Sequence, residues 1–290
     1  MERHTETQRL KWALIMSLVY FFAELIAGFI TNSLALLSDA GHMVSDVGAL
    51  ALSLFAFRMA RRPATHQSTY GFHRVEILAA LFNGLTLWLI VGVIFAAAYQ
   101  RVFHPPVVGS YGMMIVAVLG LVVNIAAAAI LHGGHHHNLN IRGAFLHVVS
   151  DAIGSVGAIA AGAIMLTTGW YLADPLISIF IGALILFSSW SLVRDSVNVL
   201  MQTVPKGIQL EEVRKTIESV DGVHKVHDLH VWAVTSDIYT LSAHAVVENG
   251  GDFHQVLNDI EDTLKERFNI EHTTIQLETE SREDKEYKAF

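Results

Sequence analysis

The chain has 290 residues, 52% of them hydrophobic and 16% charged. With a mean hydropathy of +0.44, it is too apolar for an ordinary soluble domain of this length. Charge is split along it: residues 1–203 carry 10 Lys/Arg against 9 Asp/Glu, and residues 204–290 carry 9 against 18. This describes a lipid-embedded body followed by an acidic soluble tail. The tail argues against a nucleic-acid partner and suits cations. There are no cysteines, which excludes disulfides and thiolate metal sites. The 16 histidines remain as borderline ligands.

A helix needs about 20 apolar residues to cross the hydrocarbon core. Six runs qualify, at about 12–30, 36–60, 77–102, 111–131, 143–167 and 174–194. The first is long, contains Glu24 and has no clear small-residue cleavage site, so it reads as a retained span rather than a signal peptide. Breaks fall at Thr31-Asn32-Ser33, Arg61-Arg62-Pro63, His104-Pro105-Pro106, the Gly133-Gly134 loop with its histidines, and Thr168-Gly169. Loops on one side hold Arg3, Arg9, Lys11, Arg58, Arg61, Arg62, Arg74, Arg142 and Arg194, and the other side only Arg101. The positive-inside rule then places both termini in the cytoplasm.

Pro205-Lys206-Gly207 ends the membrane body. Beyond it, Leu210–Val220 reads as an amphipathic helix, Val223–Val234 and Tyr239–Val247 alternate like strands, Phe253–Phe268 is helical, and Thr273–Leu277 is a last strand. The order α-β-β-α-β predicts a small ferredoxin-like α+β fold. The expected organisation is therefore a six-helix transmembrane bundle (1–203), a soluble domain (204–280) and a charged tail (281–290).

Ionisable residues inside spans are rare and usually functional. The second span contains Ser38-Asp39-Ala40-Gly41-His42-Met43-Val44-Ser45-Asp46, and the fifth contains His147-Val148-Val149-Ser150-Asp151. The two His-x-x-x-Asp pentads differ at one position and lie 105 residues apart. Spacing i,i+4 puts both side chains of each pentad on one helix face. Two such faces brought together offer two imidazoles and two carboxylates, a set that fits tetrahedral Zn²⁺. Ca²⁺ and Mg²⁺ want more oxygens, and Cu(I) wants sulfur. A structural polar contact between helices is the bland reading of one pentad; repetition in two spans weighs against it. A bound dication also neutralises two carboxylates that are costly alone in lipid.

Asp39, one turn before His42, reads either as an outer acceptor that holds an imidazole tautomer or as a charge in the vestibule. Glu24, Asn83, Asn124 and Asp174 read as interhelical hydrogen-bonding groups. Gly48, Gly154, Gly157 and Gly162 permit close helix approach. The run His132-Gly-Gly-His135-His136-His137 fits either a metal-capturing loop or a merely soluble one.

Three stretches carry a resemblance: Ser33–Asp46, the run Gly71-Phe72-His73-Arg74-Val75-Glu76-Ile77-Leu78, and Val226-His227-Asp228-Leu229-His230-Val231-Trp232. They resemble the cation diffusion facilitator family, and more closely its zinc-transporter branch. The resemblance covers essentially the whole chain. It implies a homodimer of six-span protomers that exchanges cytosolic Zn²⁺ for protons by alternating access. The compact size and short histidine loop look bacterial, which would mean the inner membrane. The resemblance implies a transport site of His42, Asp46, His147 and Asp151, with histidine at position 42 associated with zinc over cadmium; Co²⁺ and Cd²⁺ remain candidate cargoes. In the soluble domain it implies a metal site at His227, His244, His254 and Glu278. Gln276 stands where some members have a ligand, and His272 is a nearby substitute. His224 and His230 are weaker candidates. On the residues alone, three solvated histidines would read the same way. A loop site of one Asp and two His, present in some members, is not matched by His66 and His73. Two alternatives stay open: an intramembrane metalloenzyme, for which no His-Glu-x-x-His is present, and a membrane metal sensor.

Overall fold

The structure, a computed structural model, describes residues 2–132, 139–235, 238–249 and 251–279. Among these, the side chains of residues 2–14, 46, 49–51, 53, 54, 57, 131, 132 and 139–147 are outside the description. His135, His136, His137 and the charged tail 281–290 lie outside the described residues, as does the side chain of His132.

Six long helices form first: α1 (Glu2–Thr31), α2 (Leu34–Ala60), α3 (Arg74–Phe103), α4 (Ser110–His132), α5 (Leu139–Thr168) and α6 (Ala173–Leu200). Each overruns its predicted span: α2 by only Leu34 and Ala35, the others where helical backbone continues past the apolar segment, as in α1 from Glu2 and α6 to Leu200. Among the described residues, Arg74–Phe103, Ser110–Ile130, Val148–Thr168 and Ala173–Leu200 are long and apolar enough to cross a membrane, and Ile15–Thr31 is a shorter apolar segment. Large apolar side chains stand on the outer surface, such as Phe187 at 84% and Leu89 at 70% exposure. Water would penalise that surface, whereas hydrocarbon does not.

Contacts divide the chain into two units. One comprises the chain to Ala51 with Phe82–Ser191, and the other Leu52–Leu81 with the chain from Leu192. In the first unit, Leu36, Leu87, Val91, Met113, Met165 and Ile181 build a buried cluster. Small residues let the helices close on it. A Cβ at Gly157 on α5 would meet Ile177 Cδ1 of α6 at 2.6 Å, so a larger residue there would force the Ile177 side chain to move. Gly48 has nothing within 4 Å of its Cβ position and plays no such part here.

The buried polar groups pair between helices, as expected. Ser45 Oγ of α2 donates to Asn83 Oδ1 of α3 at 3.2 Å, and Asn124 Nδ2 of α4 to Ser155 Oγ of α5 at 3.4 Å. Asp174 of α6 reaches the start of α2.

The second unit holds the C-terminal α+β fold: α7 (Leu210–Glu218), β1 (Val223–Thr235), β2 (Ile238–Val247), α8 (Phe253–Phe268) and β3 (Ile270–Glu278). The predicted elements match in type and order, with β3 beginning three residues earlier than expected. The sheet runs β1-β2-β3, antiparallel then parallel, with α8 as the crossover. α8 starts where Asp252 accepts from the His254 and Gln255 amides at 3.0 and 3.3 Å, and stops at Asn269 in the left-handed region (φ 55°). Val213 and Ile217 of α7 and Ile260 and Leu264 of α8 pack on Val226, Leu241 and Ile270 of the sheet. This core uses one sheet face. The other face carries the polar alternates.

Candidate metal sites

Positions 42 and 46 lie one turn apart on α2, and 147 and 151 one turn apart on α5. The structure brings the two pentads together: His42 Nε2 lies 3.9 Å from Asp151 Oδ1. Both side chains are mostly buried, at 15% and 12% exposure. An imidazole nitrogen and a carboxylate oxygen at that separation can share one ion at about 2.0–2.1 Å from each. The side chains of Asp46 and His147 lie outside the described residues.

Asp39 is buried at 7% exposure. Its Oδ1 lies 3.8 Å from where a Cβ would stand on Gly154 of α5, three residues after Asp151. It therefore faces the interior between α2 and α5 rather than an open vestibule. Glu24 of α1, 1% exposed, accepts the Tyr20 hydroxyl at 3.0 Å from its own helix and lies beside the Asp39 carboxyl. On sequence grounds Glu24 is a generic interhelical contact. Its proximity to Asp39 needs the packing of α1, which no spacing along the chain reports.

In the soluble domain, a β-bulge builds the second site. His227 pairs with His244 and His230 pairs with Ser242, so Asp228 and Leu229 on β1 together oppose Ala243 on β2. The extra residue is accommodated at Asp228, whose φ of 47° is left-handed. Without the bulge, residues 227 and 230 would point to opposite faces. With it, His227 stands beside His244 on the face away from α7 and α8. β3 adds Gln276 opposite His244 and Glu278 opposite Val246.

His227 Nε2 lies 3.4 Å from Glu278 Oε2, and His244 Nδ1 lies 3.2 Å from Glu278 Oε1. The two rings meet edge to face at 5.2 Å. Gln276 Nε2 donates to Glu278 Oε1 at 2.7 Å and orients the carboxylate. One ligand atom from each of His227, His244 and Glu278 lies within 4.8 Å of the others, and no other trio among the described residues does so. Two imidazoles and a carboxylate form an N₂O donor set suited to Zn²⁺, with one position left for a further ligand.

The other expected members of this site stand elsewhere. His254 is exposed at the first turn of α8, where its backbone N–H is held by Asp252. His272 pairs with Thr240, two rows away from His244, and its ring packs edge-on against Tyr70 at 5.6 Å. The extended chain of β3 separates it from Glu278: the two positions are six residues apart, about 20 Å of strand. His73 lines the same pocket as His272, and His66 is exposed. His224 faces Glu248 at 3.7 Å, and His230 faces Asp228 at 2.9 Å.

Long apolar helices with an acidic, histidine-bearing interior, followed by an α+β domain with its own imidazole–carboxylate cluster, define a multi-span membrane protein built around metal ligands. Comparison with known proteins gives the class its family. Residues 10–201 match the cation efflux transmembrane domain, and residues 205–280 match the cytoplasmic domain of cation efflux proteins. The chain belongs to the cation efflux, or cation diffusion facilitator, family. It is 45% identical to the "Cadmium, cobalt and zinc/H(+)-K(+) antiporter" of Bacillus subtilis (strain 168), over 92% of this chain and 87% of that one. It is 43% identical to the "Metal cation efflux system protein CzcD" of Cupriavidus metallidurans, over 93% of this chain and 85% of that one. It is 40% identical to the "Zinc transporter ZitB" of Escherichia coli (strain K12), over 93% and 87%. These are transporters, not enzymes, and the metalloenzyme and sensor alternatives find no support among them.

Proposed function

We propose that this chain is a secondary active exporter of divalent metal, with Zn²⁺ as principal cargo, which moves metal out of the cytoplasm in exchange for protons. The observation that carries this reading is the approach of His42 on α2 to Asp151 on α5 at 3.9 Å, which joins the two copies of one motif inside the bundle. Asp46 and His147, one turn from each, complete the proposed four-ligand transport site. Asp39 supports it from behind. Names of the relatives, antiporters and transporters of zinc, cadmium and cobalt, favour the same cargo class.

The coupling follows from ligand chemistry. Imidazole binds metal only when neutral and carboxylate only when ionised, so protons and metal compete for the same atoms. Metal entering from the cytoplasm displaces protons, and a more acidic exterior reprotonates the ligands and releases it. Rocking of the motif-bearing helices switches access around a fixed site. The protein acts as a homodimer in the inner membrane with both termini cytoplasmic. A zinc ion held by His227, His244 and Glu278 serves as a regulatory ligand of the cytoplasmic domain.

The test is metal transport into inverted vesicles under an imposed pH gradient, with Zn²⁺, Cd²⁺ and Co²⁺ competing. Accumulation of zinc that collapses with the gradient is expected. His42→Asp is expected to shift preference from zinc toward cadmium. No accumulation of any metal, with folded protein in the membrane, overturns the reading.

A further inference from the structure

Asp174 is fully buried at the first turn of α6, yet its carboxylate serves a different helix. Its Oδ2 accepts the Leu34 amide at 2.8 Å, and its Oδ1 accepts the Ala35 amide at 3.2 Å and the Ser33 hydroxyl at 2.7 Å. Leu34 and Ala35 open α2, so these are amides that no helical carbonyl can satisfy. A negative charge there also meets the positive end of the α2 dipole. Ordinarily a helix carries its own cap one residue ahead. Here Ser33, the local capping residue, accepts from the Leu36 amide at 3.3 Å and donates its hydroxyl hydrogen bond to Asp174.

Arg101, near the end of α3, completes the arrangement. Its Nη1 lies 3.3 Å from Asp174 Oδ2 and donates to the Asn32 carbonyl at 2.7 Å, while Nη2 donates to Asn32 Oδ1 at 2.9 Å. Asn32, left-handed at φ 55°, ends α1. One ion pair, with Asp174 buried and Arg101 partly exposed, therefore ties together the ends of α1, α2, α3 and α6. Such a pair is weak evidence for stability, because desolvation offsets most of its Coulomb energy. Its geometry instead fixes direction: all its bonds converge on where α2 begins. His42 lies eight residues further on, about 12 Å along the helix axis.

We propose that Asp174, held by Arg101, is a positioning residue for the transport site: it fixes the start of α2 so that His42 and Asp46 meet the α5 ligands. This rests on the transport-site reading above. Neither residue touches the metal, so their loss acts on cargo affinity through displaced ligands. A purely structural role would instead reduce the amount of folded protein and leave the affinity of the remainder intact.

The experiment measures zinc transport by full-length protein in proteoliposomes, with rates normalised to folded protein, for wild type, Asp174→Asn, Arg101→Gln and Arg101→Lys. Asp174→Asn is expected to raise KM for Zn²⁺ by about 10-fold or more, the scale on which outer partners of metal ligands act. The kcat is expected to fall by less than KM rises. Arg101→Gln shifts KM less, since the α2 amides keep their acceptor, and Arg101→Lys recovers part of that shift. Should Asp174→Asn not fold, the Arg101 pair of variants carries the test. Unchanged KM in every folded variant, or a loss confined to kcat, overturns the proposal. Asp151→Ala is run beside them: if it still transports zinc, the transport-site reading itself fails, whereas its inactivity with unchanged KM in the Asp174 and Arg101 variants sinks only this inference.

Discussion

His42 Nε2 and Asp151 Oδ1 stand 3.9 Å apart, although 109 positions separate them in the chain. Either group alone in a lipid-embedded bundle carries a desolvation cost; a dication between them removes it. Asp151→Ala and His42→Ala are therefore expected to abolish zinc-driven proton flux while the protein still folds. The measurement is quenching of an entrapped pH dye in proteoliposomes on addition of Zn²⁺. Flux retained by either variant would remove that residue from the site.

Gly154 leaves room for Asp39. A Cβ there would sit 3.8 Å from Asp39 Oδ1, an ordinary contact, so Gly154→Ala is expected to transport at close to the wild-type rate. Gly154→Leu pushes into the carboxylate and is expected to lower zinc affinity by about 10-fold, as for other disrupted outer partners. Initial rates of zinc uptake against concentration, in inverted vesicles, distinguish the two variants. Equal rates for Ala and Leu would show that Asp39 has no role in orienting a ligand.

The cytoplasmic cluster makes a binding prediction separable from transport. Removing a ligand with His244→Ala, in a full-length protein already carrying Asp151→Ala, is expected to remove the remaining high-affinity zinc. Gln276→Ala leaves the ligands in place but frees the Glu278 carboxylate, and is expected to weaken binding by about 10–100-fold. Competition with a zinc-chelating dye reads both. Protons compete for the same nitrogen and oxygen atoms, so affinity falls as pH is lowered. A Gln276→Ala affinity equal to that of the parent would mean the amide does not orient the carboxylate.

Asp228 holds the bulge that brings His227 to the cluster, and it does so at φ 47°. A β-branched residue tolerates that conformation poorly. Asp228→Val is expected to destabilise β1 by about 1–2 kcal/mol, and Asp228→Gly by less, since glycine adopts positive φ freely. Hydrogen exchange along β1 reports the local opening energy. If Val and Gly behaved alike, the strain would lie elsewhere.

Much of this was legible before any coordinates. Six apolar runs, the α-β-β-α-β order and the repeated His-x-x-x-Asp motif are all local patterns. Hydrophobic period sets the type of element, and i,i+4 spacing sets which side chains share a face, so residues 42 and 46 belong together whatever the tertiary fold. The same locality explains why α8 ran from Phe253 to Phe268 as expected: Asp252 and Asn269 bound it from within a few residues.

What the chain order could not report depends on packing between distant segments. Alternation along β1 gave no sign of the bulge at Asp228, so only the fold shows His227 beside His244. Strand register, set by the whole sheet, puts His272 opposite Thr240 rather than His244, and its ring packs against Tyr70. On sequence grounds Asp174 is one more interhelical polar group, and its service as the cap of α2 follows only from the docking of α6 against the α1–α2 turn. By itself, the sequence determined which residues can bind metal, because ligand type and helical spacing are local. The tertiary structure alone decided which of them meet, because a shared ion needs atoms within a few ångströms and only the packed fold sets such distances.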